Sequence, residues 1–276
     1  MRRGPWLLVI AALLSVVLAW LGPREGDARA TNNRTVSLSP AITETLFYIG
    51  AADRLSGRSD WCTLPSTASS LPGYGSGLTP NLEQLMLSDV GRVLVDVPPP
   101  EELKQLLHVE EMPWLTVSDL QASTRELGRL FGRTTEAEAL AGAYDVLHPK
   151  PQSKAAHRVL VLLGIPTHAG GDIWYIKPNT LHGAVVAAAG LNNIMPASDG
   201  PPSVSVERAM QLVPDRIVVL SADADLDTPA ALAALRASLP LDAVMQGKVD
   251  ILTGPETMSV GPSLLSTLAR LRALRP

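Results

Sequence analysis

One short pattern occurs twice in this chain, and its recurrence limits the fold more than any other feature. Asn81-Leu82-Glu83 and Ser205-Val206-Glu207 each place a helix-capping residue, an apolar residue and then a glutamate in succession. Asn and Ser favour the N-cap because their side chains accept a hydrogen bond from a free backbone N–H. An acid in the first turn is favoured by the helix dipole, a modest structural gain of about 0.3–1 kcal/mol. Each pattern is followed by an apolar strand that begins at an arginine, Arg92-Val-Leu-Val95 and Asp215-Arg-Ile-Val-Val-Leu220. A plan repeated at this scale implies two similar lobes.

The flanking segments fit that plan. Arg34 to Ser39 reads as a strand, and Ser39-Pro40 then opens a helix with a good cap and a proline at its first position. Ile42, Leu46 and Ile49 fall at helical spacing, and Gly50 ends the helix. A short helix starts at Asn81, and Leu115 to Val117 reads as a further strand. Past residue 156 the order returns. Arg158 to Leu163 is a strand, Thr180 to Gly190 a helix, Ser205 the start of a short helix, Val249 to Leu252 the last strand and Pro262 to Leu274 the last helix. Strands and helices alternating at short intervals predict α/β lobes of the Rossmann-like kind. Between them, Ser118-x-x-Gln121 and Thr135-x-x-Glu138 read as capping boxes of two connecting helices, the second ended by Pro149 and Pro151. The expected division is therefore 31–117 for the N-terminal lobe, 118–155 for the connector and 156–276 for the C-terminal lobe. A helical connector is stiffer than a Gly/Ser linker, so wide swinging is not expected.

Residues 1–30 read as an export signal. Met1-Arg2-Arg3 is cationic, Trp6 to Leu21 is uncharged and apolar, and Ala28-Arg29-Ala30 is a small-x-small cleavage site. The stretch from Gly4 to Pro23 is also long enough to serve as an uncleaved anchor. Either way the body faces an extracytoplasmic space, and a cleaved form would be periplasmic. Removing those thirty residues takes away four arginines and two acids, leaving the rest more acidic than the whole chain's net −4. An acidic body without a basic cluster excludes nucleic acid as a partner. Cys62 is the only cysteine and cannot form an internal disulfide, so it reads as a small buried hydrophobe.

No enzyme signature is present. The chain contains no Gly-x-Ser-x-Gly, no Walker loop and no Gly-x-Gly-x-x-Gly after a strand, and no nucleophile is paired with a base. His108, His148, His157, His168 and His182 are scattered without metal-ligand spacing, and His182 reads as a partly exposed helix residue. Neither catalytic residues nor a metal site are expected. The aromatic residues point to binding. Trp61 lies in the loop Ser59 to Pro65, Tyr74 in the glycine-rich loop Gly73 to Gly77 with Leu78 after it, and Trp174 stands beside Tyr175 after Gly170-Gly171. These loops follow strands, where open α/β sheets place a ligand crevice. The expected ligand-binding set is Trp61, Tyr74, Gly77, Leu78, Trp174 and Tyr175, with Arg58 the one base placed near the cleft. Trp114 reads as core.

The runs Arg34-Thr-Val-Ser-Leu-Ser-Pro-Ala-Ile-Thr-Glu-Thr-Leu, Gly50-Ala-Ala-Asp-Arg-Leu-Ser-Gly57, Ser59-Asp-Trp-Cys-Thr-Leu-Pro65 and Pro80-Asn-Leu-Glu-Gln-Leu85 resemble the vitamin B12 and iron-siderophore family of periplasmic binding proteins. Gly190-Leu-Asn-Asn-Ile194, Val204-Ser-Val-Glu207 and Ser259-Val-Gly-Pro-Ser-Leu264 extend the likeness over nearly all of the chain after residue 33. The resemblance implies two lobes joined by a helix, a ligand in the groove between them and delivery to an inner-membrane ABC transporter permease by a monomer. It also implies that Glu83 and Glu207 dock on arginines of that permease. The vitamin B12-binding members look closest, with Trp61 and Trp174 falling at or near aromatics that touch the corrinoid. Heme and ferric siderophores are the alternative ligands. Heme would call for an axial residue such as Tyr74, Tyr175 or His168.

Overall fold

A computed structural model describes residues 34–148, 156–166 and 172–274. The expected signal segment, Pro149 and Pro151, and the loop with His168, Gly170 and Gly171 lie outside them.

The first lobe runs β1 (Thr35–Ser37), α1 (Pro40–Tyr48), β2 (Leu55–Arg58), α2 (Leu82–Leu87), β3 (Arg92–Val95), α3 (Glu101–Leu106) and β4 (Val109–Glu111). Two connecting helices follow, α4 (Val117–Phe131) and α5 (Thr134–Ala143). The second lobe runs β5 (Arg158–Leu163), β6 (Asp172–Trp174), α6 (Leu181–Ala188), β7 (Asn192–Asn193), β8 (Ser203–Ser205), α7 (Val206–Ala209), β9 (Arg216–Ser221), α8 (Thr228–Ser238), α9 (Asp242–Met245), β10 (Val249–Thr253) and α10 (Ser263–Ala273).

Both main sheets are parallel and share one topology. The first has the order β2-β1-β3-β4, and the second, read in the matching direction, β7-β5-β9-β10. In each, the opening strand is central, the next lies to one side and the last two to the other. The repeat inferred from two glutamates is thus a repeat of whole sheets. Into the second half is inserted an antiparallel pair, β6 with β8, that has no counterpart in the first.

The strand residues alternate between two cores, as a period of two requires when both faces are covered. Val93 and Val95 join an outer cluster with Val36 and Leu103, while Leu94 faces a central cluster. In the second sheet Leu160, Leu162, Ile217 and Val219 face outward to the α8 and α9 layer, and Val159, Val161, Val218 and Leu220 face the central cluster. That central cluster also takes in Leu120 and Leu127 of α4, Leu140 of α5, and Leu264 and Leu268 of α10. One apolar body therefore runs from lobe to lobe through the connector.

Three expectations about the connector are corrected. Leu115 to Val117 is not a strand: Leu115 is exposed, Val117 is the first residue of α4, and the fourth strand lies earlier. The capping box is Thr116 with Asp119, two residues before Ser118. The Thr116 hydroxyl accepts from the Asp119 N–H at 3.1 Å and the Asp119 carboxylate accepts from the Thr116 N–H at 2.9 Å. The second box does not form, because α5 starts at Thr134 with no side-chain cap.

Candidate functional site

A parallel α/β sheet opens its crevice at the carboxyl ends of its strands, where the strand order reverses. In the first lobe that place lies between β1 and β3. Ser39, just past β1, caps α1 by accepting from Ile42 N–H and donates to Asp96 Oδ2 at 2.7 Å, directly after β3. Burial raises the Asp96 carboxyl above the usual carboxylate range, partly opposed by that hydroxyl. Gly77 donates its N–H to Leu38 O at 3.2 Å, and a Cβ there would stand 2.9 Å from Val97. The glycine-rich loop therefore lies flat across the mouth, leaving Leu78 exposed at its tip.

Trp61 stands three residues past β2 and is 72% exposed. Its neighbour Cys62 points the other way, buried, and donates to Thr43 Oγ1 at 3.1 Å. Burial pushes that thiol up, so it is an inert filler beneath the loop. Tyr74 does not face the mouth. It is buried in the outer core of the first lobe, in space left by Gly57, where a Cβ would lie 2.3 Å from the Tyr74 ring.

In the second lobe Trp174 is 52% exposed at the end of β6. With Leu163, Gly164, Ile165, Pro166 and Asp172 it lines a cavity of about 180 Å³ at the carboxyl end of β5. Strand alternation sends its neighbours inward, so Ile173 and Tyr175 are both buried in the outer core of this lobe. Tyr175, like Tyr74, is therefore packed in a core and not exposed at a mouth as expected. His182 is also buried, contrary to the partly exposed position expected of it. Its Nε2 donates to Thr257 O at 2.9 Å, and burial holds its pKa below the ordinary imidazole value.

The two mouths meet along one seam. Glu44, one turn into α1, is buried and accepts from the Ser263 N–H at 2.8 Å and from the hydroxyls of Ser259 and Ser263 in the opposite lobe. Trp114, past β4, donates its Nε1–H to Val260 O at 2.8 Å. The residues past β10 thus contact those past β1 and β4, so the strand ends of both lobes look toward the same interface. Beside the seam a largely apolar groove of about 310 Å³ takes walls from both lobes: Phe47 and Tyr48 of α1, Leu64 and Pro65 from the Trp61 loop, and Glu44 with Ser263. The sequence patterns did not single out Glu44, Ser259 and Ser263 as a contact, since the partners lie more than two hundred positions apart.

Comparison with known proteins finds relatives in sequence and in fold. No family model matches the chain. The vitamin B12-binding protein of Pectobacterium atrosepticum is 25% identical over 261 residues, covering 89% of this chain and 91% of that one. A periplasmic heme-binding protein from Pseudomonas aeruginosa superposes with a TM-score of 0.68 at 26% identity, covering 87% of this chain and 91% of the other. The periplasmic vitamin B12-binding protein of Vibrio cholerae shares the fold, with a TM-score of 0.66 at 19% identity and coverage of 88% and 96%. In sequence and fold the chain is similar to periplasmic binding proteins for vitamin B12 and heme. These relatives are binding proteins and not enzymes.

The charge at the strand ends is acidic. Asp60 and Asp96 stand past β2 and β3, Asp172 opens β6, and Asp223 and Asp225 follow β9. Arg58 ends β2 at the first mouth, and its guanidinium is turned back to donate to Ser59 O at 2.8 Å. Among the described residues no group of three or more His, Cys, Asp or Glu could hold a metal ion, and no helix is long and apolar enough to cross a membrane. Glu83 and Glu207 are exposed in the first turns of α2 and α7. The caps form as the residue types require, with Asn81 accepting from the Gln84 N–H and Ser205 from the Arg208 N–H.

Proposed function

We propose that this chain is the capture component of an ABC importer and that it holds a corrinoid between its lobes, with Trp61 and Trp174 against the macrocycle. The observation that carries the reading is the pair of exposed indoles, one at each mouth, on otherwise well-buried lobes. A large flat ligand gains affinity from apolar area covered on both faces, at roughly 25 cal/mol per Å² before the costs of association.

The surroundings favour a corrinoid over heme. Heme needs an axial nitrogen or oxygen. Among the described residues, Tyr74 and Tyr175 are in the cores, His182 is buried, His148 bonds Gln121 on the connector, and His108 and His157 precede their strands at the end away from the mouths; His168 lies outside them. The aspartates of the mouths would also oppose heme's carboxylates, whereas neutral amide side chains can donate to them. Heme is the second reading because the Pseudomonas aeruginosa relative binds it, and exposed Tyr48 in the inter-lobe groove would be its ligand. A ferric siderophore is the third, and it would call for cations that Arg58 alone does not provide.

Delivery would proceed by docking Glu83 and Glu207 on arginines of an inner-membrane permease, the carboxylates fixing orientation through charge-assisted pairs. Residues 31–117, 118–155 and 156–276 act as first lobe, connector and second lobe of a periplasmic monomer, exported by residues 1–30.

Equilibrium dialysis of the purified protein against cyanocobalamin and, separately, hemin tests the ligand. Saturable uptake of cyanocobalamin is expected, with tryptophan quenching reduced in Trp61→Ala and abolished at the same concentrations in Trp61→Ala with Trp174→Ala. No retention of cyanocobalamin beside a Soret shift with hemin would replace the corrinoid reading with the heme one.

A further inference from the structure

The two docking helices repeat more than their glutamates. Read along α2 and its flank, the residues are Asn81, Leu82, Glu83, Gln84, Leu85 and Met86. Along α7 they are Ser205, Val206, Glu207, Arg208, Ala209 and Met210. Position by position these are a capping residue, a part-buried apolar residue, an exposed acid, a polar residue, a fully buried residue and a methionine. The strand that follows begins nine positions after the glutamate in both lobes, at Arg92 and at Arg216. Each methionine lies three residues beyond its glutamate, so both project from one face of a single turn.

Both methionines are open to solvent, Met86 at 50% and Met210 at 40% exposure, and each is followed within three residues by an exposed apolar side chain, Leu87 and Val213. Burying Leu85 and Ala209 explains why the helices pack as they do. It does not explain why the same register leaves a flexible apolar side chain outside, twice. Isolated surface hydrophobes are unremarkable, but an acid and a methionine at matching positions of two lobes form a duplicated patch. Each patch also borders its mouth. The Asn81 N–H donates to Tyr74 O in the glycine-rich loop, and Ser205, which caps α7, pairs with Asp172 of the Trp174 strand.

We infer that Met86 and Met210 are the apolar halves of two equivalent contacts with one protein partner, each seated in an apolar depression beside a basic side chain that meets Glu83 or Glu207. The inference rests on the docking reading above and identifies the partner's surface as a base and a hydrophobic socket, presented twice. Charge complementarity sets the encounter and its orientation, while desolvated apolar anchors slow dissociation. Methionine suits the task because its unbranched thioether adapts to an irregular socket. A partner that grips both patches sits over the cleft.

The test is photo-crosslinking of the full chain in its source cells, with benzoylphenylalanine in place of Met86, Met210, Glu83 or Glu207 in turn, and at exposed Leu115 for background. Crosslinks from 86 and 210 to the same integral-membrane polypeptide as from 83 and 207 are expected. Met86→Ser with Met210→Ser should lower the yield from 83 and 207 about tenfold, and Met→Leu at both sites should restore it. Crosslinks from 83 and 207 alone, unaffected by the serine changes, would overturn the methionine role and leave the docking reading standing. Membrane crosslinks from none of the four, or only to lipid, would overturn both.

Discussion

The two lobes agree on the outside and disagree at their mouths. Helices α2 and α7 repeat cap, acid and methionine in register. The mouths share an exposed indole and little else, one roofed by a glycine-rich loop after β2, the other by the inserted pair β6 and β8. A repeat is kept where both lobes must satisfy the same chemistry and is lost where each touches a different side of an asymmetric ligand. On the proposed function the outer helices would face one kind of surface twice, whereas the corrinoid proposed for the cleft would offer two unlike faces and an uneven rim.

The sharpest way to break that comparison is to separate the lobes. Glu44 accepts three hydrogen bonds from the opposite lobe, and bonds to a charged group are worth about 1.5–3 kcal/mol each, not fully additive. Glu44→Ala should cost about 3 kcal/mol, read from the urea midpoint at constant slope. An unchanged midpoint would show that the seam does not hold the halves together. Next in size, Trp61→Ala and Trp174→Ala should each weaken cyanocobalamin binding by about 1–3 kcal/mol if both indoles are central anchors. A loss under tenfold at one site only would locate the ligand in the other mouth. Gly261→Ala should cost about 1–3 kcal/mol of stability, because its Cβ would fall 2.6 Å from a Glu44 oxygen that is already committed.

The smallest effects are in pH, and they have opposite signs in the two lobes. His182 keeps a lowered pKa in the fold, so the unfolded chain takes up a proton first as pH falls below about 6.5. Stability is lost as pH falls below that value, and His182→Gln should flatten that part of the profile. Asp96 has a raised pKa, so its buried carboxylate costs stability above its native titration and the cost disappears as pH falls through it toward 3.8. Asp96→Asn should be the more stable form at neutral pH, with the gain fading under acid. Thermal unfolding of both variants from pH 7 to 4 checks the pair.

The legible parts of the fold were those written in local chemistry. The runs Arg92–Val95, Arg158–Leu163 and Arg216–Ser221 are apolar on both faces and could be read directly as buried strands. Asn81 and Ser205 announced their helices. Thr116-x-x-Asp119 forms the box in place of Ser118-x-x-Gln121, because a carboxylate one methylene shorter than Glu still reaches the N-cap N–H. The orientation of Tyr74 depended on Gly57, which lies on a different strand. That of Tyr175 depended on recognising Asp172–Trp174 as a strand, after which alternation would have sent Trp174 out and Tyr175 in. The contact of Glu44 with Ser259 and Ser263 had no local signal, because only the folded chain brings those ends together.

Glycine at 261 and two serines around a single carboxylate have a further consequence. On the proposed function they would set the aperture before any cargo arrives. A guest that enters finds a jaw already set, so little ordering is left to oppose its entry, and little springs back to expel it. Unloading then falls to whatever levers the jaw apart, and the work of that lever must at least match the bonds gathered on Glu44.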